Sequence, residues 1–106
     1  MRTLILVEPG SPIPQEAVLG ILEAFRGWRD RWRSKMEIFE FFAGRPGGWA
    51  VFNTADETEL SQAMIEFPLS NFSVISVHPT TSGDEALGRL TETFKQMAAA
   101  MGAGPQ

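Results

Sequence analysis

The single histidine, His78, is the side chain of this sequence best suited to proton transfer. An unperturbed imidazole titrates near neutral pH, so it can take up and release a proton during a reaction. If residues 72–79 form a strand, His78 shares a face with Phe72, Val74 and Ser76. Should that face line a cavity, His78 is a lone base among apolar walls. The alternative is a strand-end histidine that is solvated or bonded to a backbone carbonyl.

A second candidate for acid–base chemistry is Glu40, which interrupts an apolar segment between Phe39 and Phe41. Alternation along a strand puts Glu40 on the face of Ile38 and Phe42. A carboxylate in that place lies either at a sheet edge in water, where charge discourages aggregation, or in a cavity that raises its pKa. Both interpretations remain open from the residues alone.

A basic stripe occupies the end of the first predicted helix, where Arg26, Arg29 and Arg33 alternate with Trp28 and Trp32. Such a pattern can indicate nucleic-acid or membrane binding. We favour a structural role, because cations complement the dipole at a helix C-terminus and the tryptophans continue the apolar stripe of the helix. The net charge of −4 also argues against a nucleic-acid partner.

Other site classes find no support in the residue types. The absence of cysteine excludes disulfides and thiolate chemistry, and one histidine is too few for a typical zinc site. The glycine-rich turn at residues 44–48 lacks the lysine of a phosphate-binding loop. No metal or cofactor is therefore expected. The first apolar run, residues 3–7, is too short for a signal peptide or membrane span, so a cytoplasmic location and no membrane partner are expected.

The elements that must position these residues follow in the order strand, helix, strand, strand, helix, strand, helix. Strands are predicted at residues 2–8, 36–42, 49–53 and 72–79, and capping boxes at residues 54–57 and 82–85 open the second and third helices. This order predicts one α+β domain at residues 1–102 with a ferredoxin-like βαββαβ fold, an added C-terminal helix and a frayed tail at residues 103–106. The last helix carries a narrow apolar seam, made of Leu87, Leu90, Phe94, Met97 and Met101.

The predicted strands are apolar on both faces, although both connecting helices of this fold cover only one face of the sheet. In the first strand Ile5 and Val7 alternate with Leu4 and Leu6, and in the second Met36 and Ile38 share the face opposite Phe39. A monomer would expose a large apolar patch, which soluble monomers rarely do. The sequence therefore predicts a homodimer in which two sheets pack face to face, either alone or as the unit of a higher oligomer.

The pattern of Phe67-Pro68-Leu69 followed by residues 74–79 resembles that of the muconolactone isomerase family, and residues 55–60 resemble the acidic helix start of that family. The resemblance extends over nearly the whole chain and implies a dimeric α/β-barrel, in which two ferredoxin-like sheets pack together. In one place the chain departs from the family. Phe39-Glu40 stands where the family has a Trp-Arg pair, so the cation suited to an anionic lactone is missing.

The resemblance implies an isomerase-like protein that moves a proton next to a carbonyl in a small, mostly apolar or weakly anionic lactone or carbonyl compound. His78 would then be the base or acid and Glu40 its partner, while Phe39, Phe41 and Trp49 would shape the pocket. The alternative is a non-catalytic homodimer that binds a ligand or a partner. A third interpretation, ranked last, makes His78 a haem ligand, because related dimeric barrels include haem enzymes.

Overall fold

The computed structural model describes residues 1–102 and contains four strands and three α-helices in the predicted order. The elements are β1 (Arg2–Pro9), α1 (Val18–Trp32), β2 (Met36–Phe41), β3 (Gly48–Asn53), α2 (Glu57–Ile65), β4 (Ser73–Pro79) and α3 (Gly83–Gly102). Single 3-10 turns precede α1, follow it, and lead into β4. The predicted tail at residues 103–106 lies outside the described residues.

The four strands form one antiparallel sheet in the order β2-β3-β1-β4. This order and the two crossover helices confirm the predicted ferredoxin-like α+β fold. Because directly paired residues share a face, the register divides the sheet into a helix side and a bare side. Val7 pairs with Gly48 and Ile75 on the helix side, whereas Leu6 pairs with Trp49 and Ser76 on the bare side.

Apolar side chains on both sides of the sheet confirm the predicted pattern, with one correction at the start of β2. A register shift between Met36 and Ile38 places Met36 opposite Phe52, on the helix side, where it packs against the core. The sequence analysis had put Met36 on the face of Ile38, and a bulge of this kind breaks the simple alternation on which that prediction depended.

The hydrophobic core lies between the helix side of the sheet and the helices α1 and α2. Phe52 and Ile5 are almost completely buried at the centre of the sheet. Against them pack the remaining members of the core cluster, Trp28, Trp32, Ala50, Leu60, Ala63 and Phe67. The apolar stripe predicted for the first helix therefore faces the core through its two tryptophans.

The helix α2 begins two residues later than its sequence motif suggests. Asp56 is the N-cap, and its carboxylate accepts a hydrogen bond of 2.9 Å from the backbone N–H of Glu59. The Glu59 carboxylate in turn accepts one of 3.0 Å from the N–H of Ala55. The predicted cap residue, Thr54, is instead buried beneath the helix start. Thr54 and Asp56 both suit an N-cap, and the burial of Thr54 leaves Asp56 to fill that role.

The last helix, α3, does not pack onto the domain. Its N-terminus is capped as predicted, since the Ser82 hydroxyl accepts a hydrogen bond of 3.0 Å from the N–H of Glu85. No residue of α3 is buried. The molecule measures 74 Å along its longest axis and 27 and 22 Å across it. Its radius of gyration is 20.0 Å, against about 13 Å for a compact domain of this length, so α3 projects away from the body.

Candidate functional site: an apolar cavity beneath the helices

A cavity of about 400 Å³ lies between the helix side of the sheet and the helices α1 and α2. It forms where β3 carries its smallest side chains. Gly48 and Ala50 face the helices at the centre of the sheet, flanked by Val7 and Ile5 on β1. Because these two positions fill little volume, the sheet leaves a hollow that the helices do not close.

A group of aromatic rings in edge-to-face and tilted contact forms one wall of the cavity. Phe25 lies at the centre of the group, with ring centroids 5.8 Å from Phe39, 6.1 Å from Phe41 and 5.5 Å from Phe67. Such pairs add stability beyond the area that they bury. They also offer both ring faces and ring edges to a molecule in the cavity.

Hydrogen-bonding side chains are scarce along the cavity. Trp28 lines it, but its indole N–H already donates to the carbonyl of Ala63 at 2.9 Å. The other uncharged polar side-chain groups among the lining residues are the hydroxyls of Ser11 and Ser73 and the indole N–H of Trp49, whose side chain lies on the bare side of the sheet. Among the described residues, no lysine, arginine or histidine lines the cavity. The cavity can therefore hold an apolar body with one or two polar atoms, and it does not provide a cation for a carboxylate.

The β2–β3 hairpin forms one rim of the cavity through Pro46 and Gly47. Gly47 has a φ of +105°, and a Cβ there would lie 2.5 Å from the carbonyl oxygen of Val7. The turn therefore needs a glycine to lie this close to β1. Arg45 of the same hairpin stacks on Phe42 at 3.9 Å from the ring centroid and lies 3.6 Å from the carboxylate of Glu8. The nearest charges at the rim thus pair with each other.

The two predicted catalytic residues do not meet in one chain. Glu40 pairs with Trp49 and His78 pairs with Leu4, so both side chains lie on the bare side of the sheet and both are exposed. They lie on the two edge strands, three strand spacings apart and offset by two residues along the strand, which together separate them by about 16 Å. Glu40 borders the cavity, whereas His78 is not among its lining residues.

The residues predicted to shape a pocket are divided between the two sides. Phe39 and Phe41 belong to the aromatic wall of the cavity, although Phe41 is two-thirds exposed at its open side. Trp49 borders the cavity, but its pairing with Leu6 puts its side chain on the bare side. A role for these residues in binding stays a prediction.

Several cavity residues were not singled out from the sequence as binding residues. They are Ile13, Phe25, Trp28, Met64, Leu69 and Phe72. The helical spacing of Phe25 and Trp28 could have indicated that they face the sheet, since an apolar stripe must bury against some layer. Ile13 and Leu69 lie between the regular elements, so no helical or strand periodicity in the sequence could have predicted that they face the cavity.

Two of the three arginines of the basic stripe, Arg29 and Arg33, form ion pairs with an acidic neighbour. Arg29 and Arg33 both lie 3.0 Å from the Asp30 carboxylate, and the hydrogen bond from Arg29 is the main cause that lowers the pKa of Asp30. Arg31 contacts Glu66 of the α2 C-cap at 2.8 Å. These ion pairs agree with a structural role for the stripe.

Two further site classes have no counterpart in residues 1–102. These residues contain no group of three or more acidic or histidine side chains close enough to hold a metal ion. Over the same range, no helix has the length and hydropathy needed to span a bilayer.

Two of the solved structures with a similar architecture are enzymes. Muconolactone isomerase superimposes with a TM-score of 0.70 at 14% sequence identity, over 77% of this chain and 90% of the other. The chain has the fold of muconolactone isomerase. A 5-chloro-2-hydroxyhydroquinone dehydrochlorinase (TftG) from Burkholderia phenoliruptrix AC1100, solved in complex with 2,5-dihydroxybenzoquinone, gives a TM-score of 0.62 at 13% identity, over 80% of this chain and 98% of the other. The resemblance to muconolactone isomerase predicted from the sequence is thus confirmed at the level of the fold. No protein-family model matches the chain, and no curated protein matches it.

Proposed function

We propose that this protein is a homodimer that binds a small, neutral, ring-containing compound in the cavity between its sheet and its helices. The observation that carries the proposal is the cavity itself. It has about 400 Å³ of space and an aromatic wall centred on Phe25. Small-molecule sites are typically apolar hollows of this size with a few polar groups.

The charge distribution favours a neutral ligand over an anionic one. The ionisable residues at the cavity are Glu8 and Glu40, both acidic. The nearby cation, Arg45, is already paired with Glu8. A carboxylate ligand would lose its hydration without gaining an opposite charge, which disfavours its burial. This agrees with Phe39-Glu40 at the place where the muconolactone isomerase family has Trp-Arg.

The comparisons support a compound with a single ring. One structural neighbour was solved with 2,5-dihydroxybenzoquinone, and the other is named for an isomerisation of muconolactone. Both names describe small oxygenated molecules. In this chain the hydroxyls of Ser11 and Ser73 could bind one or two ring oxygens, while Phe25 and Phe67 contact the ring.

Binding can be tested by native mass spectrometry of the purified protein, followed by calorimetric titration with neutral lactones and with 2,5-dimethoxybenzoquinone, the neutral counterpart of the ionised 2,5-dihydroxybenzoquinone. Val7→Phe adds a ring to the cavity wall and should weaken binding at least tenfold. Val77→Phe is the matched control, because Val77 also lies on the helix side of the sheet but outside the cavity. Equal binding by both variants, or no binding of any of these compounds by the unmodified protein, would refute the assignment.

A catalytic function is the second candidate, favoured by the fold that this chain shares with two enzymes and by a carboxylate at the cavity border. Glu40 would exchange a proton next to a carbonyl of the bound compound. His78 could assist only from a partner chain, because within one chain the sheet holds it about 16 Å from Glu40. Catalysis would then need the dimer.

Proton transfer can be followed by NMR as solvent deuterium enters the carbon next to the carbonyl of a bound lactone. Glu40→Gln and His78→Ala should each slow this exchange at least a hundredfold without changing ligand affinity. Ser76→Ala, on the strand and face of His78, should leave it unchanged. Exchange that persists in His78→Ala removes His78 from the mechanism, and absence of exchange in the unmodified protein leaves ligand binding as the function.

The homodimer in this proposal is supported by the bare side of the sheet. Its apolar side chains form two cross-strand rows, which contain Ile38, Val51 and Leu4 in one row and Trp49 and Leu6 in the other, with Val74 beyond them. Neither α1 nor α2 covers this side, since both pack on the opposite one. A second copy would cover it sheet against sheet, as in two-layer β-structures.

A further inference from the structure

The space beneath the helices is larger than one small ring needs. The cavity measures about 400 Å³, whereas an apolar cavity of about 150 Å³ is sufficient to bind one benzene molecule. By the same ratio of space to carbon atoms, the whole cavity would hold about 16 non-hydrogen atoms. A lactone or benzoquinone ring without substituents has at most half as many. Such a ring would leave part of the lining without contacts, and the dispersion energy of those contacts would be lost.

The cavity is elongated along the strands of the sheet. On β1 its helix-side lining consists of Ile5, Val7 and Pro9, which occupy every second position of the strand. At about 3.4 Å per residue, Ile5 and Pro9 lie roughly 14 Å apart. The lining therefore extends far enough for a ring and a substituent to lie one behind the other along β1.

The two ends of the cavity differ in exposure to solvent. At the end where β1 runs into the connection to α1, the lining residues Pro9 and Ser11 are exposed. At the opposite end Ala50 and Phe52 are 7% and 0% exposed, and the ring centroids of Trp28 and Phe52 are 5.8 Å apart. The first end is called the mouth of the cavity, and the second is called the deep end.

The free hydroxyl groups of the cavity lie at the mouth. The N–H of Gly10 donates to the carbonyl of Phe72 at 2.9 Å, which joins the chain after β1 to the start of β4. Ser11 and Ser73 each follow one residue of this pair, so both are held at the mouth. At the deep end the indole N–H of Trp28 already donates to a backbone carbonyl of α2. Among the described lining residues, no free hydrogen-bonding side chain therefore remains at the deep end.

We propose that the ligand of this cavity is a neutral oxygenated ring with an apolar substituent, such as an alkyl chain. The ring oxygens lie at the mouth and the substituent fills the deep end. The inference rests on the proposed function, to which it adds a second part of the ligand and a direction of binding. The reverse direction would bury the ring oxygens without hydrogen-bond donors, which lowers affinity.

The test uses a series of γ-lactones that share one ring and carry an ethyl, butyl or hexyl chain. NMR titration of the isotope-labelled protein measures the dissociation constant of each lactone. A fully buried methylene group increases affinity about fourfold. The hexyl lactone has four more methylene groups than the ethyl lactone, so it should bind at least thirtyfold more tightly.

Three variants separate the two ends of the cavity. Ala50→Leu adds three carbon atoms at the deep end and should weaken binding of the hexyl lactone at least tenfold, but that of the ethyl lactone less than threefold. Ser73→Ala removes a hydroxyl at the mouth and should weaken binding of both lactones by the same factor. Ala24→Leu is the control for Ala50→Leu, because it adds the same atoms at an exposed position of α1 outside the cavity. It should change neither dissociation constant.

Circular dichroism verifies that each variant is folded. If Ala50→Leu does not fold, Ala50→Val adds two carbon atoms at the same place and should also weaken binding of the hexyl lactone more than that of the ethyl lactone. The direction of binding can be measured in the unmodified protein as well. Nuclear Overhauser effects should connect the terminal methyl group of the hexyl chain to the indole protons of Trp28. Effects that connect this methyl group to Ser73 instead would contradict the proposed direction.

The results distinguish failure of this inference from failure of the proposed function. Equal affinities for the ethyl and hexyl lactones would overturn the inference, because the ligand would then be a ring alone, while binding in the cavity would stand. Binding of 2,5-dimethoxybenzoquinone without binding of the hexyl lactone would have the same meaning. If neither the lactones nor this quinone bind, the proposed function fails together with the inference.

Discussion

Two buried tryptophans of α1 provide a matched test of what one hydrogen bond contributes to this fold. Trp28 and Trp32 are 7% and 8% exposed, and both belong to the core cluster. The indole N–H of Trp28 donates to the Ala63 carbonyl at 2.9 Å. Ala63 lies in the last turn of α2, where carbonyls lack helical partners. Within residues 1–102, Nε1 of Trp32 has no hydrogen-bond partner.

Changing each tryptophan to phenylalanine separates ring volume from hydrogen bonding. Both changes remove the same atoms from the core, at a cost of about 1–2 kcal/mol each. Trp28→Phe also leaves the Ala63 carbonyl buried without a partner, which costs about 1–3 kcal/mol more. Trp32→Phe removes a buried N–H that has no partner, which offsets part of the loss of its ring. The free energy of unfolding should therefore fall more in Trp28→Phe, by about 1–3 kcal/mol.

The assay is urea unfolding followed by far-ultraviolet circular dichroism, since the changes would alter a fluorescence signal directly. Both variants are measured at one protein concentration, because the stability of the proposed dimer would depend on concentration. The difference in free energy is taken at equal m-values. If Trp32→Phe is as destabilised as Trp28→Phe, the hydrogen bond to Ala63 does not contribute as argued.

Two further predictions concern the sheet and the hairpin. The hydrogen bond from Arg2 is the main cause that lowers the pKa of Glu37 below its ordinary value of 4.5. A depressed folded-state pKa stabilises the fold above the unfolded-state value, and this contribution is lost as the pH falls through the folded-state value. The stability advantage over Glu37→Gln in urea titrations should therefore shrink as the pH falls below 4.5. Gly47→Ala should cost about 1–3 kcal/mol, because its φ is +105° and its Cβ would meet the Val7 carbonyl. Gly44→Ala, with a φ of +81° but open space around it, should cost less, and thermal melts that rank the two the other way would contradict this.

The comparison of sequence with structure is most instructive at β2. Alternation alone assigns Phe39 and Phe41 to one face and Glu40 to the other, and the observed pairing agrees. The same rule fails at Met36, because a register shift moves this residue to the helix side. The alternation of side chains between the two faces assumes an unbroken ladder of cross-strand pairs. Where a bulge interrupts that ladder depends on the pairing with the neighbouring strand.

The cavity shows a second limit of sequence-based prediction. The aromatic residues Phe25 and Phe67 belong to apolar stripes that the sequence reveals, so their burial was predictable. That they enclose a hollow was not, because the hollow depends on Gly48 and Ala50 lying opposite them in the fold. A residue pattern indicates which face of an element is apolar, but it does not indicate how much volume is filled by the side chains that pack against that face.

The sequence by itself determined the order of the elements, the two apolar faces of the sheet and the seam of α3, because these follow from local spacing and capping. Tertiary structure alone decided that His78 lies on the bare side, remote from both the cavity and Glu40. It also decided that the α3 seam projects away from its own domain. The physical reason is that periodicity fixes the direction of a side chain relative to its own strand or helix. What covers that side chain depends on strand order and on contacts between elements distant in sequence.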